Sequence, residues 1–143
     1  MKKILYILSI FAVVSCNLSD YQKSNSKMIK QTELSNPEIK EYKFLDCMYQ
    51  DSYFPTFLVD KCRNILLALC YKIETNNPTT LDQLYELTHA ATEKLNDLED
   101  EFFNNDSEIE TVARECLAKN FEFIANAYGF EADIEELIAP RYW

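Results

Sequence analysis

Glycine is almost missing from this chain: Gly129 is the single one in 143 residues, where about 7% is usual. Hairpins, barrels and phosphate-cradling loops all draw on glycine, so the shortage argues against a β-sandwich, a Rossmann domain and a P-loop enzyme. Histidine is as scarce, with His89 alone, which excludes any centre built on two imidazoles. Positive charge is short too, with 14 basic against 24 acidic side chains and a net charge of −10. What is present in quantity is apolar content, 48%, enough at this length for one domain with a core and too much for a disordered chain.

The N-terminus reads as an address. Lys2 and Lys3 precede an apolar run from Ile4 to Val14 interrupted by Ser9, and Ser15 stands before Cys16. A charged start, a short apolar run and a small residue before the cleavage point are the parts of a secretory signal. The run is too short for a spanning helix, which needs about 20 apolar residues. Val13-Val14-Ser15-Cys16 resembles the lipobox of bacterial lipoproteins, and that resemblance implies a cysteine that is lipidated and becomes the mature N-terminus. Several acyl chains on one residue give stable anchoring, each buried CH₂ adding about 0.8 kcal/mol. Residues 16–37 are polar and rich in Ser and Asn, and are expected to form a flexible tether; 38–143 are expected to form the domain.

Losing residues 1–15 removes two lysines and leaves a net charge of −12, and from Glu38 onward 9 basic residues face 22 acidic ones, net −13. Phosphate backbones and anionic headgroups repel such a domain, so nucleic acid is excluded as a partner and the membrane is reached through the lipid anchor only. A basic protein partner remains.

Helical periodicity organises the domain. Tyr42, Leu45 and Tyr49 suit a short first helix over 40–49, which Asp51-Ser52-Tyr53-Phe54-Pro55 breaks. Leu58, Cys62, Ile65, Leu66, Leu69 and Ile73 define a buried face over 56–74. Thr80 and Gln83 read as a capping box for a long helix whose seam runs Leu81, Leu84, Thr88, Ala91, Leu95, Leu98, Phe102. Ser107 and Glu110 read as another, opening a helix with Ile109, Val112, Cys116 and Leu117. Asn120 falls on the apolar arc if that helix continues, so it is expected to cap a separate short helix over 121–128, with Gly129 as the left-handed stop. Asp133 and Glu136 start a last short helix before Pro140. The fold expected is an all-α bundle of about four main helices plus a short C-terminal one.

Several strings in this domain carry a resemblance: Asp51-Ser52-Tyr53-Phe54-Pro55, Leu58-Val59-Asp60-Lys61, Leu84-Tyr85-Glu86-Leu87-Thr88-His89-Ala90-Ala91, Ser107-Glu108-Ile109-Glu110-Thr111-Val112-Ala113-Arg114 and Ala127-Tyr128-Gly129-Phe130. Over residues 42–143 the chain resembles the short bacterial family filed as domain of unknown function 5713. That resemblance implies a compact helical domain and brings no activity, cofactor or catalytic residue. The lipoprotein-like leader is an addition to the family pattern.

Two readings of function follow. In the first, the domain is a non-enzymatic interaction module on the envelope, immunity-like or inhibitor-like. It meets a partner through the acidic face of Asp82, Glu86, Glu93, Asp97 and Asp100, or through aromatic and arginine anchors at helix ends, Tyr53, Phe54, Arg141 and Trp143. In the second, His89 with Glu86 three residues before it and Glu93 four after forms a cluster on one helix face that could take a divalent metal. A Glu-x-x-His pair supplies only two ligands, so that reading requires a further carboxylate from another helix. Of the cysteines after Cys16, Cys62 and Cys70 lie about 12 Å apart by helical rise, too far to bridge. Bridges between Cys47 or Cys116 and either of these two stay open, but buried free thiols are expected.

Overall fold

The computed structural model describes residues 28–143, so the leader, Cys16 and most of the expected tether lie outside the described residues. The described residues form helices and turns, with α1 Pro37–Glu41, α2 Asp46–Tyr49, α3 Thr56–Asn76, α4 Leu81–Asn96, α5 Glu99–Phe103, α6 Thr111–Ala127 and α7 Ile134–Leu137. The protein is a small all-α bundle built around three long helices, α3, α4 and α6. No described helix is long and apolar enough to cross a membrane.

α3 and α4 form a hairpin. Asn77 ends α3 in the left-handed conformation with φ 49°, its N–H donating to the Ile73 carbonyl at 2.9 Å, and Pro78 prevents the helix from continuing. Thr80 Oγ1 then accepts from Gln83 N at 3.3 Å, while the Gln83 side chain accepts from Thr79 N at 2.8 Å, one residue earlier than a simple capping box requires. α3 buries Leu58, Val59, Cys62, Leu66, Leu67, Leu69, Cys70 and Ile73, and α4 meets it with Leu84, Ala91 and Leu95.

Five expectations about the helices are corrected. The first helix is two, because Leu45 takes a left-handed φ of 57° and turns the chain between them. α1 starts earlier than expected, at Pro37, because Asn36 Oδ1 accepts from Glu38 N and Ile39 N and proline is suited to the first helical position. The long fourth helix ends at Asn96, where an i to i+3 bond from Leu98 N to Leu95 O tightens the chain before α5.

The last two concern α6. It starts at Thr111 rather than Ser107, leaving Val112 exposed and the Ser107 hydroxyl buried without a partner, so no second capping box forms. It also runs unbroken through Asn120. That amide is buried but paired: Oδ1 accepts from Leu45 N at 3.1 Å and Nδ2 donates to the Cys116 carbonyl at 2.7 Å. The cost of burying an amide is thus offset by fixing the Leu45 turn. Gly129 does stop the helix, at φ 83°, with Phe130 N on Ala125 O and Gly129 N on Asn126 O, both 2.9 Å, the paired bonds of a Schellman motif.

The domain begins before Glu38. Residues 31–33 form a 3₁₀ turn, Leu34 is in the core, and the Gln31 amide donates to the carbonyls of Ile39, Lys40 and Tyr42, capping the C-terminal end of α1. The part of the expected tether within the described residues is therefore a strap laid on α3.

Cys47 and Cys116 are joined by a disulfide with Cα atoms 6.2 Å apart, which corrects the expectation of free thiols. The bridge ties α2 to α6 one turn before Asn120, so the same two elements are held by a covalent and a polar link. Cys62 and Cys70 are free and buried, and burial pushes both thiols up to about 12.

Candidate functional site

His89 comes first because it is the only imidazole. Its Nε2 lies 2.7 Å from the Glu136 carbonyl and its ring stacks on Tyr85 with centroids 6.0 Å apart. An imidazole on a carbonyl in the last turn of a helix satisfies an orphan acceptor, so His89 fastens α7 to α4. The nearest carboxylate contact is with Glu136 at 3.9 Å, from α7 rather than from Glu86 or Glu93. Glu86 and Glu93 are exposed, and among the described residues no group of three or more His, Cys, Asp or Glu side chains is placed to hold a metal ion.

A cleft of about 400 Å³ between the strap, the end of α3 and the end of α6 is lined by Ser35, Asn36, Glu74, Asn77, Tyr128 and Phe130. Glu74 is its centre. The carboxylate accepts from Ser35 N at 2.8 Å, from Asn36 N at 3.0 Å and from the Tyr128 hydroxyl at 2.8 Å. Burial pushes the Glu74 carboxyl up, but the hydrogen bonds from Asn36, Ser35 and Tyr128 together outweigh it and hold the group below the ordinary carboxylate value. Tyr128 is pushed well above its ordinary range by burial and by Cys70 and Glu74 beside it. Three donors converge on this carboxylate, two of them strap backbone amides, so the cleft is a clasp for the strap.

The clasp carries a pH signature. Because the folded carboxyl is depressed, its contribution is complete above the ordinary value of 4.5 and is lost as pH falls through the lower folded value. Glu74→Gln is expected to cost about 1 kcal/mol at neutral pH, with exposure limiting the effect. The gap to the wild type should close on acidification, as urea titrations across that range would show.

The acidic face and the helix-end anchors are placed as follows. Asp82, Asp97 and Asp100 are exposed. Phe54 is 4% exposed and belongs to the core, which removes it from any contact surface. Trp143 packs against the core with its indole nitrogen buried and unpaired. Arg141 is turned onto Glu135 at 2.6 Å and onto the Ile138 carbonyl. The Asn96 amide secures this tail by donating to Pro140 O at 2.9 Å and accepting from Tyr142 N at 3.2 Å.

Tyr53 belongs instead to a corner that the periodicity did not reveal. Between α5 and α6 a groove of about 290 Å³ is lined by Glu99, Asp100, Phe103, Glu108 and Ile109. Phe103 is 70% exposed. Tyr53 lies at its edge: partial desolvation and the carboxylates of Glu110 and Glu108 push its phenol up. No basic residue interrupts 99–110, and among the described residues only Glu101 of its carboxylates is neutralised, by Lys61. The signal in the sequence was Phe102-Phe103: a helix seam can bury one of two consecutive aromatics, and Phe102 is the one buried.

These arrangements define a small helical bundle in which His89, Glu74 and Tyr128 each hold one element against another. The chain belongs to the family of unknown function DUF5713, whose sequence profile matches residues 38–143. No curated protein and no solved structure matches it.

Proposed function

We propose that the chain is a lipid-anchored protein of the bacterial envelope whose acidic domain binds a basic protein partner without catalysis, in the manner of an immunity or inhibitor protein. The observation that carries the binding reading is Phe103, an aromatic ring left in solvent within a ring of carboxylates. Aromatic anchors inside charged rims are where interface energy concentrates. A lysine or arginine can stack on the ring and reach Glu99, Asp100 or Glu108 at once. The Cys47–Cys116 bridge supports the envelope half, because disulfides persist in oxidising compartments. A protein cargo is favoured over a small substrate because His89, Glu74 and Tyr128 each hold a fold contact, to the Glu136 carbonyl, the strap and each other.

The anchor is tested by intact mass and detergent partition of the chain made in a bacterium. The wild type is expected to begin at Cys16, to carry acyl mass and to enter the detergent phase. Cys16→Ala is expected to keep residues 1–15 and carry no acyl chain. A wild-type chain with an unmodified Cys16 would contradict the reading.

A further inference from the structure

We infer that a cationic cleft at the root of the tether binds the phosphate groups of anionic lipids and lays the domain on the membrane in one orientation. This rests on the lipid-anchored reading above. A hollow of about 420 Å³ is lined by Met28, Lys30, Gln31, Lys40, Arg63 and Asn64 among others, with no carboxylate in its lining. Lys30, Lys40 and Arg63 have no ion-pair partner among the described residues. Such a concentration of uncompensated positive charge is anomalous in a chain of net charge −10. The Arg63 fork is held in place by its Nη2, which donates to Gln31 Oε1 at 2.6 Å, while the other guanidinium nitrogens meet no acceptor among the described residues. Gln31 is itself fixed on the end of α1, so the cleft is organised before any ligand arrives. The amides and cations of its lining suit an oxyanion, and the apolar remainder, Ile29 and the exposed Met28, suits the acyl boundary.

Position makes the lipid the source. Met28 lies twelve positions after Cys16, a stretch that spans at most about 40 Å when fully extended. A lipidated Cys16 therefore keeps the cleft within reach of headgroups at high effective concentration. Charge agrees: residues 23–43 carry five lysines against three glutamates, while 44–143 carry 7 basic against 20 acidic residues. The net repulsion of the domain thus orients it, cations toward an anionic leaflet and carboxylates away. Each cation near such a surface is worth about a fivefold gain in binding.

The test uses the lipidated full chain in phosphatidylcholine vesicles with and without phosphatidylglycerol, treated with a membrane-impermeant amine reagent. Phosphatidylglycerol is expected to slow labelling of Lys30 and Lys40 by about fivefold or more while Lys94 and Lys119 react unchanged. High salt or Arg63→Glu should abolish the protection of Lys30. Equal labelling in both vesicles would overturn the inference with the anchor intact. Protection by inorganic phosphate alone in phosphatidylcholine vesicles would overturn the lipid as source. A chain that fails to enter vesicles because Cys16 is unmodified removes the anchor and the inference with it, a result recognisable by mass.

Discussion

Reducing the Cys47–Cys116 bridge should lower the free energy of unfolding by about 3 kcal/mol, from closure of a long loop in the unfolded chain. The two cysteines are 69 residues apart, so the bridge encloses α3, α4 and α5. For a domain of this size the melting temperature should fall by about 15 °C. Cys47→Ser is the informative variant, since Cys47 is exposed and leaves no cavity, whereas Cys116 is buried. Alkylation in denaturant without reductant should modify Cys62 and Cys70 and spare the other two; in the folded protein even those should be inert, being buried thiols pushed up to about 12. A melting temperature that ignores both reductant and Cys47→Ser would contradict the bridge.

Asn120→Ala should cost about 2 to 3 kcal/mol, more than an ordinary polar deletion. Removing the amide strands the Leu45 N–H in the core, and Leu45 holds a left-handed backbone that an L side chain seldom adopts. The carbonyl of Cys116 also loses its extra donor. Because the bridge and the amide restrain the same turn from adjacent positions on α6, the two effects should not add. A double-mutant cycle with Cys47→Ser should give a coupling of about 1 kcal/mol, read by urea unfolding. Simple additivity would mean that the two links act on separate parts of the fold.

Asn120 also marks where sequence reasoning stopped. Its position on the apolar arc of α6 was legible, and so was the cost of burying it unpaired; the partner, 75 residues away on the Leu45 turn, was not. Asn96 repeats the lesson, since its amide serves the C-terminal tail from inside what reads as a continuous helix. Local signals survived where the chemistry was local. Pro78 and Asn77 ended α3, Asp133 Oδ1 capped α7 by accepting from Glu136 N at 3.1 Å, and Gly129 terminated α6. The cysteine pairing failed for the same reason as the asparagines: a burial pattern cannot say which α2 and α6 positions face each other.

The candidate site shows the same division. The acidic composition was plain, but the stripe along α4 and the anchors Phe54 and Trp143 drew attention from the corner where an aromatic side chain is left in water. Helical spacing could place Glu86 and Glu93 on the side of His89. It could not show that the Glu136 carbonyl of α7 already occupies the imidazole. The strap over α3 was read as tether because its side chains are polar; the Gln31 and Asn36 amides are polar because they cap the two ends of α1, while backbone N–H groups meet Glu74.

The central claim is that the Phe103 corner is a partner-binding surface, and crosslinking in the native envelope tests it most directly. Tagged wild type and Phe103→Ala are compared at equal membrane levels, the substitution being expected to change stability by less than about 0.5 kcal/mol because the ring is mostly in solvent. A basic protein should crosslink to the wild type, with its recovery falling at least about tenfold for Phe103→Ala and declining with added salt. Equal recovery of the same partner with both proteins, or no crosslinked partner with the wild type, would contradict the account.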